Sequence, residues 1–92
     1  MRYTVFLTDN VKADIIKFRK AGDKKTLKKI EALLTELELH PTTGTGLPQP
    51  LLGDRTGQWS RRITRKHRLI YKIYNERVIV LVLSVWGHYD DK

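Results

Sequence analysis

Arginine and histidine are the side chains of this sequence best suited to chemistry, and they crowd one short stretch, Trp59 to Tyr71, reading WSRRITRKHRLIY. Arg61, Arg62, Arg65, Lys66, His67 and Arg68 fall within it, and a further histidine, His88, stands near the C-terminus. No zinc-ligand spacing, glycine-rich phosphate loop, or serine or cysteine nucleophile arrangement accompanies them. The C-terminal half also offers little for hydrolysis by carboxylates. Arginine with histidine is the combination suited to phosphoryl transfer in RNA without a metal. There a base takes the proton of a 2′-hydroxyl, a guanidinium holds the charge gathering on the phosphate, and an acid protonates the leaving 5′-oxygen. RNA carries its own nucleophile, so neither a covalent step nor a cofactor is expected.

Each of these residues also has a plainer reading. A lone histidine in a short tail, as His88 is, stands more often on the surface than in a catalytic site. Arg62 and Arg68 are first of all nucleic-acid contacts or surface ion-pair partners. Trp59 and Tyr71 read as core rather than as stacking platforms, and Tyr89, beside the tail histidine, is the better candidate for stacking on an unpaired base. Lys24, Lys25, Lys28 and Lys29 crowd one short segment, with like charges at i and i+4 that cost about 0.2–0.5 kcal/mol per pair. They are either a solvated face or a phosphate-contacting patch.

For these lysines the solvated face is the plainer reading, and the overall charge says what the surface as a whole attracts. With a formal net charge of +8 and a pI near 10, the surface attracts anions. Six basic or potentially basic side chains on one hairpin repel each other and ask for an outside polyanion. Nucleic acid leads, with anionic membrane and an acidic protein behind it. The 92 residues suit a single domain, 1–92, with one small core. Without cysteine there are neither disulfides nor thiolate metal sites, which fits a reducing cytoplasm. The opening residues are too short and too alternating for a signal peptide, and the apolar run from Val78 to Val85 falls far below the roughly 20 residues of a membrane span. A soluble, unexported protein is expected.

The elements that must position these residues follow from periodicity. Tyr3 to Leu7 predicts a strand, Thr8 a helix N-cap, and Val11, Ile15 and Phe18 one apolar helical face ended by Gly22. Asp23 caps a second helix along Leu27, Ile30, Leu33, Leu34 and Leu37, which stops near His40 because Pro41 follows. From Pro41 to Pro50, glycines and prolines predict an ordered surface loop rather than helix or strand, with Gln49 held between Pro48 and Pro50. A turn at Gly53–Gly57 precedes the basic hairpin, whose tip is Thr64-Arg65-Lys66. Asn75-Glu76 turns into Val78–Leu83, apolar on both parities and therefore central or covered on both sides. The order strand, helix, helix, strand, strand, strand predicts an α+β fold with two N-terminal helices on one face of a small, largely antiparallel sheet. The other face is left open. Alternation sends Leu69, Tyr71 and Ile73 toward the helices and Arg68, Ile70 and Lys72 to the open side. The tail from Trp86 to Tyr89 continues a buried strand and is expected to be held.

The run Gly44-x-Gly46-x-Pro48-x-Pro50-Leu51, then Trp59-Ser60-Arg61-Arg62-Ile63, His67-Arg68-Leu69-x-Tyr71 and a terminal His88-Tyr89 resembles the YoeB-type toxins of the RelE/ParE superfamily. The resemblance covers nearly the whole chain. It implies a RelE-like microbial RNase-type fold and a ribosome-dependent endoribonuclease that cuts messenger RNA in the A site. It also implies silencing by a YefM-like antitoxin, and a homodimer is compatible with it. Carried over by position, Arg68 matches the phosphate-stabilising arginine, His88 the general acid, Tyr89 the terminal tyrosine that helps hold the substrate, and Arg62 a supporting arginine. The RNA surface then takes in Arg65, Lys66 and the four lysines at 24, 25, 28 and 29.

The departure lies at Gln49, where the family commonly has a catalytic glutamate. An amide orients a hydroxyl but cannot take its proton at neutral pH. Three readings stay open: a slower enzyme, a different base such as His67 or a ribosomal group, or an attenuated module that binds antitoxin and ribosome. Leu52 and Gly53 stand where basic or polar residues are frequent, and Trp86 where arginine is. Gyrase inhibition, as in the ParE branch, fits the His88-Tyr89 ending less well.

Overall fold

A computed structural model of the chain describes residues 2–87. Two helices lie on one face of a mixed five-stranded sheet. Strand β1 is Thr4–Leu7, helix α1 Asp9–Lys20, helix α2 Lys24–Leu37, strand β2 Gln49–Pro50, strand β3 Gln58–Arg62, strand β4 Arg68–Tyr74 and strand β5 Ile79–Ser84. Short 3-10 turns at Gly53–Arg55 and Asn75–Arg77 sit where the two turns are expected.

Both helix starts follow the caps legible in the sequence. Thr8 accepts from the Val11 N–H at 3.2 Å, and the Asp23 carboxylate takes the Thr26 N–H at 3.1 Å and its hydroxyl at 2.7 Å. Gly22, at φ +72°, separates the helices in a conformation costly for other residues. Val11 and Phe18 of α1 and Ile30, Leu33 and Leu37 of α2 are buried against Leu69, Tyr71, Val80 and Val82 of the sheet. Burial of this apolar layer, at about 25 cal/mol per Å², is the main force assembling it.

The sheet runs in the order β1-β5-β4-β3-β2, antiparallel throughout except where β1 pairs in parallel with β5. Strand β5 is therefore internal, as its double-sided apolar pattern requires. The fifth strand is an addition to the expected order. Gln49 and Pro50 leave the surface loop and pair with Ser60 and Trp59 at the sheet edge. Their edge position explains why proline is tolerated and why the strand stops after two residues, since Pro50 brings no N–H to the ladder.

Alternation along β4 falls as expected, with Leu69 and Tyr71 fully buried under the helices. The opposite face is less open than its pattern implies, because Ile70, Ser60 and Leu51 are buried there, outside the main core cluster. Among the described residues no helix is long and apolar enough to cross a membrane.

Candidate functional site

The helix-free face carries the candidate residues because β3 and β4 put alternate side chains there. Arg62 lies directly opposite Arg68, and Ser60 opposite Ile70. On the far side of β3, Gln49 pairs with Ser60. Gln49 is thus a diagonal neighbour of Arg62, a relation that places Cα atoms about 7–8 Å apart in antiparallel sheets. Gln49 and Arg62 are exposed and Arg68 is half-buried. The fold brings together one amide and two guanidinium groups from three strands. Beneath them the Ser60 hydroxyl is buried with no hydrogen-bond partner among the described residues.

The hairpin tip is locally determined. Thr64 Oγ1 accepts from the N–H groups of Lys66 and His67, and the N–H groups of Ile63 and Thr64 both donate to the His67 carbonyl. Arg65 and Lys66 are thereby presented at the exposed end. Near that end, Lys25, Lys28 and Lys29 rim a hollow of about 490 Å³ that is also lined by Thr26, Ala32, Ile63 and Thr64. The lysines of α2 therefore neighbour the hairpin tip rather than Gln49, Arg62 and Arg68. Lys24 is exposed at the first residue of α2.

His88 and Tyr89 lie outside the described residues. The residue before His88 is placed: the Gly87 N–H donates to His67 Nδ1 at 2.8 Å, and the Gly87 carbonyl accepts from the Arg68 N–H at 3.0 Å. Trp86 packs against Phe18 and His67, with ring centroids 4.7 and 4.8 Å apart, and Lys17 Nζ lies 5.1 Å from its ring centroid. As far as Gly87, the tail is held as expected.

Arg61 requires a correction. Counted by sequence among six hairpin cations in need of a polyanion, it is fully buried and fully engaged. Its Nε donates to Tyr71 Oη at 3.1 Å, and its terminal nitrogens donate to Glu36, to the carbonyls of Thr45 at 3.1 Å and Thr43 at 2.8 Å, and to the His40 carbonyl. Tyr71 in turn donates to the Pro41 carbonyl at 2.6 Å. A guanidinium with five donors in a fixed fork can collect that many acceptors, and here three of them are carbonyls of the chain leading to Gln49. The signal was present in the strand parity: Arg61 alternates with Trp59 and Ile63, so it must face inward.

The loop is held equally closely by Glu36, whose carboxylate accepts from the Thr45 N–H and hydroxyl. Burial pushes the Glu36 carboxyl upward, but those two hydrogen bonds and the Arg61 guanidinium outweigh it and hold its pKa below the ordinary value. Tyr71 goes the other way, raised by burial against the opposing pull of Arg61. Two glycines make room for this contact. A Cβ at Gly44 would lie 2.1 Å from the Glu36 carboxylate, and one at Gly46, at φ +87°, 2.9 Å from the Arg62 carbonyl. The Gly46 carbonyl also accepts from the Arg62 N–H at 2.6 Å, tying the loop to the residue opposite Arg68.

Known proteins resemble this arrangement over most of its length. The toxin YoeB of Mycobacterium bovis is 43% identical over 61 residues, which make up 66% of this chain and 72% of that toxin. A solved YoeB/ParE toxin from Agrobacterium tumefaciens superposes with a TM-score of 0.86 at 31% identity, covering 94% of this chain and 99% of its own. The YoeB dimer and a heterotetrameric YoeB–YefM complex from Staphylococcus aureus, each 31% identical, give TM-scores of 0.81 and 0.80 and cover 97% of this chain and 100% of theirs. With residues 7–89 matching the family throughout, the chain belongs to the YoeB-like toxins of bacterial type II toxin–antitoxin systems.

Proposed function

We propose that the protein is a ribosome-dependent endoribonuclease that cuts messenger RNA in the A site, working as one toxin domain in the cytoplasm and silenced by a YefM-like antitoxin. The observation that carries this reading is the convergence of Gln49, Arg62 and Arg68 on the helix-free face. In the proposed reaction the 2′-hydroxyl oxygen attacks the adjacent phosphorus while its proton leaves. The P–O5′ bond breaks, and the products are a 2′,3′-cyclic phosphate and a free 5′-hydroxyl. Arg68 stabilises charge on the non-bridging oxygens, Arg62 supports it, and His88 gives its proton to the departing 5′-oxygen. Gln49 orients the attacking hydroxyl through its side-chain carbonyl, and the proton passes to another acceptor at the ribosome. No step needs a metal, because the substrate supplies the nucleophile. Tyr89 stacks on an unpaired base, while Arg65, Lys66 and the lysines at 24, 25, 28 and 29 contact phosphates of ribosomal RNA.

The YefM complex of the S. aureus relative supports an antitoxin partner, and its YoeB dimer supports self-pairing. A chain of charge +8 is complemented by an acidic, partly disordered segment folding over Arg62, Arg68 and His88, with affinity falling as salt rises. Single-turnover cleavage on programmed ribosomes tests the enzyme reading. Arg68→Ala and His88→Gln should each nearly abolish cutting, and an unaffected His88→Gln protein would remove the acid assignment.

Gln49 favours a second reading, an attenuated module that binds ribosome and antitoxin without cutting. Expression of the chain alone separates the two: growth arrest with message cut at the A site supports the enzyme, and intact message supports the binder.

A further inference from the structure

We propose that His67 is a positioning residue for the catalytic tail, acting through the Gly87 N–H. This rests on the endoribonuclease reading for its consequence in catalysis, though not for the contact itself. A backbone N–H can only donate, so the 2.8 Å contact requires His67 Nδ1 to be unprotonated and to act as the acceptor. The ring that carries this nitrogen is fixed by two aromatic neighbours. Phe18 meets it edge-on, with centroids 5.1 Å apart and planes at 87°, and Trp86 lies against it at 4.8 Å. Phe18 is buried in α1, so the imidazole is braced against the core rather than carried on a mobile loop.

The Gly87 peptide is gripped at both ends. Its N–H goes to the His67 side chain, and its carbonyl takes the Arg68 N–H at 3.0 Å. Two consecutive hairpin residues thus set the position of the residue that immediately precedes His88. The phosphate-binding arginine and the chain leading to the acid are referenced to the same two backbone positions. Gly87, at φ +80°, adopts a conformation that other residues seldom take, and with no Cβ it does so at low cost. His67 is correspondingly a poor general base: the nitrogen that would accept a proton is already occupied by Gly87. Of the three readings of Gln49, the one that gives the proton to His67 loses its support.

Two substitutions separate the acceptor from the ring. His67→Phe keeps an aromatic body between Phe18 and Trp86 but deletes the acceptor, whereas His67→Asn places an amide oxygen near the position of Nδ1 without the ring. In single-turnover cleavage on programmed ribosomes, His67→Phe should lose about 10²-fold in rate, the scale of a small misplacement of reacting groups, while its melting temperature stays near that of the parent. His67→Asn should recover a large part of the rate despite a lower melting temperature. Cleavage by His67→Phe at the parental rate, or equal loss in both variants, would overturn the proposal. Amide exchange at Gly87, followed by NMR in the parent and in His67→Phe, decides the contact independently of activity. Protection lost in the variant supports the clamp, and unchanged protection refutes it. A parent that cuts no message with Gly87 still protected would defeat the endoribonuclease reading and leave the clamp standing.

Discussion

The guanidinium of Arg61 and the carboxylate of Glu36 meet between strand β3 and helix α2, and the loop that leads to Gln49 is folded around their pair. Arg61 is fully buried and Glu36 about three-quarters so, with side-chain exposures of 0% and 26%. Removing one partner of such a pair leaves an uncompensated charge and strands the loop carbonyls that Arg61 satisfies. Arg61→Ala should therefore lose about 3–5 kcal/mol of stability in chemical denaturation, far more than an exposed arginine would. Arg61→Lys should rescue little, because one ammonium cannot reproduce the five-donor fork.

The Glu36 carboxyl adds a pH dependence whose sign is set by its lowered pKa. Burial raises it, and the Thr45 hydrogen bonds with Arg61 more than reverse that. Below the ordinary value of 4.5, the unfolded chain takes up a proton that the folded chain still refuses. The stabilisation is thus complete above that pH and is lost as pH falls through the folded pKa. Asp23, lowered by its hydrogen bonds from Thr26, contributes in the same direction. Denaturation midpoints measured from pH 6 downward should decline in the parent and decline less steeply in Glu36→Gln.

Arg62 and Arg68 face each other across β3 and β4, a like-charge cross-strand pair of a kind that costs a fold and that an anionic ligand would relieve. Arg62→Ala should raise stability slightly, by about 0.2–1 kcal/mol, while weakening RNA binding. The slope of log affinity against log salt should fall by about one phosphate contact. A melting curve and a salt titration on the same preparation read both effects, which have opposite signs.

Gln49 occupies the edge strand beside this pair without an ionisable group. Replacing it by glutamate restores a proton acceptor in the same backbone position, and general-base assistance is typically worth about 10²–10⁴ in rate. Gln49→Glu should accelerate cleavage of ribosome-bound message within that range. An unchanged rate would mean that the proton already leaves by another route.

Much of this fold was legible without coordinates. Thr8 and Asp23 as caps, the apolar faces of both helices and the parity of Leu69 and Tyr71 depend on neighbours within a few residues, and short-range rules are enough to read them. The short strand at Gln49 was not legible, because two residues beside prolines carry no strand pattern of their own. It exists only because Ser60 and Trp59 offer an edge.

The sequence by itself determined the family, the order of the two helices and the four longer strands, and the identity of the basic hairpin, since these are written in residue type and spacing. Strand parity already turns Arg61 inward, and only the tertiary structure decided what it meets there. Arg61 and Arg62 are adjacent and chemically identical, yet strand alternation buries one against Glu36 and the loop carbonyls and leaves the other exposed opposite Arg68. The tertiary structure likewise brought His67 against the tail. The acceptor it offers is filled by Gly87, a residue 20 positions away that no local pattern connects to it.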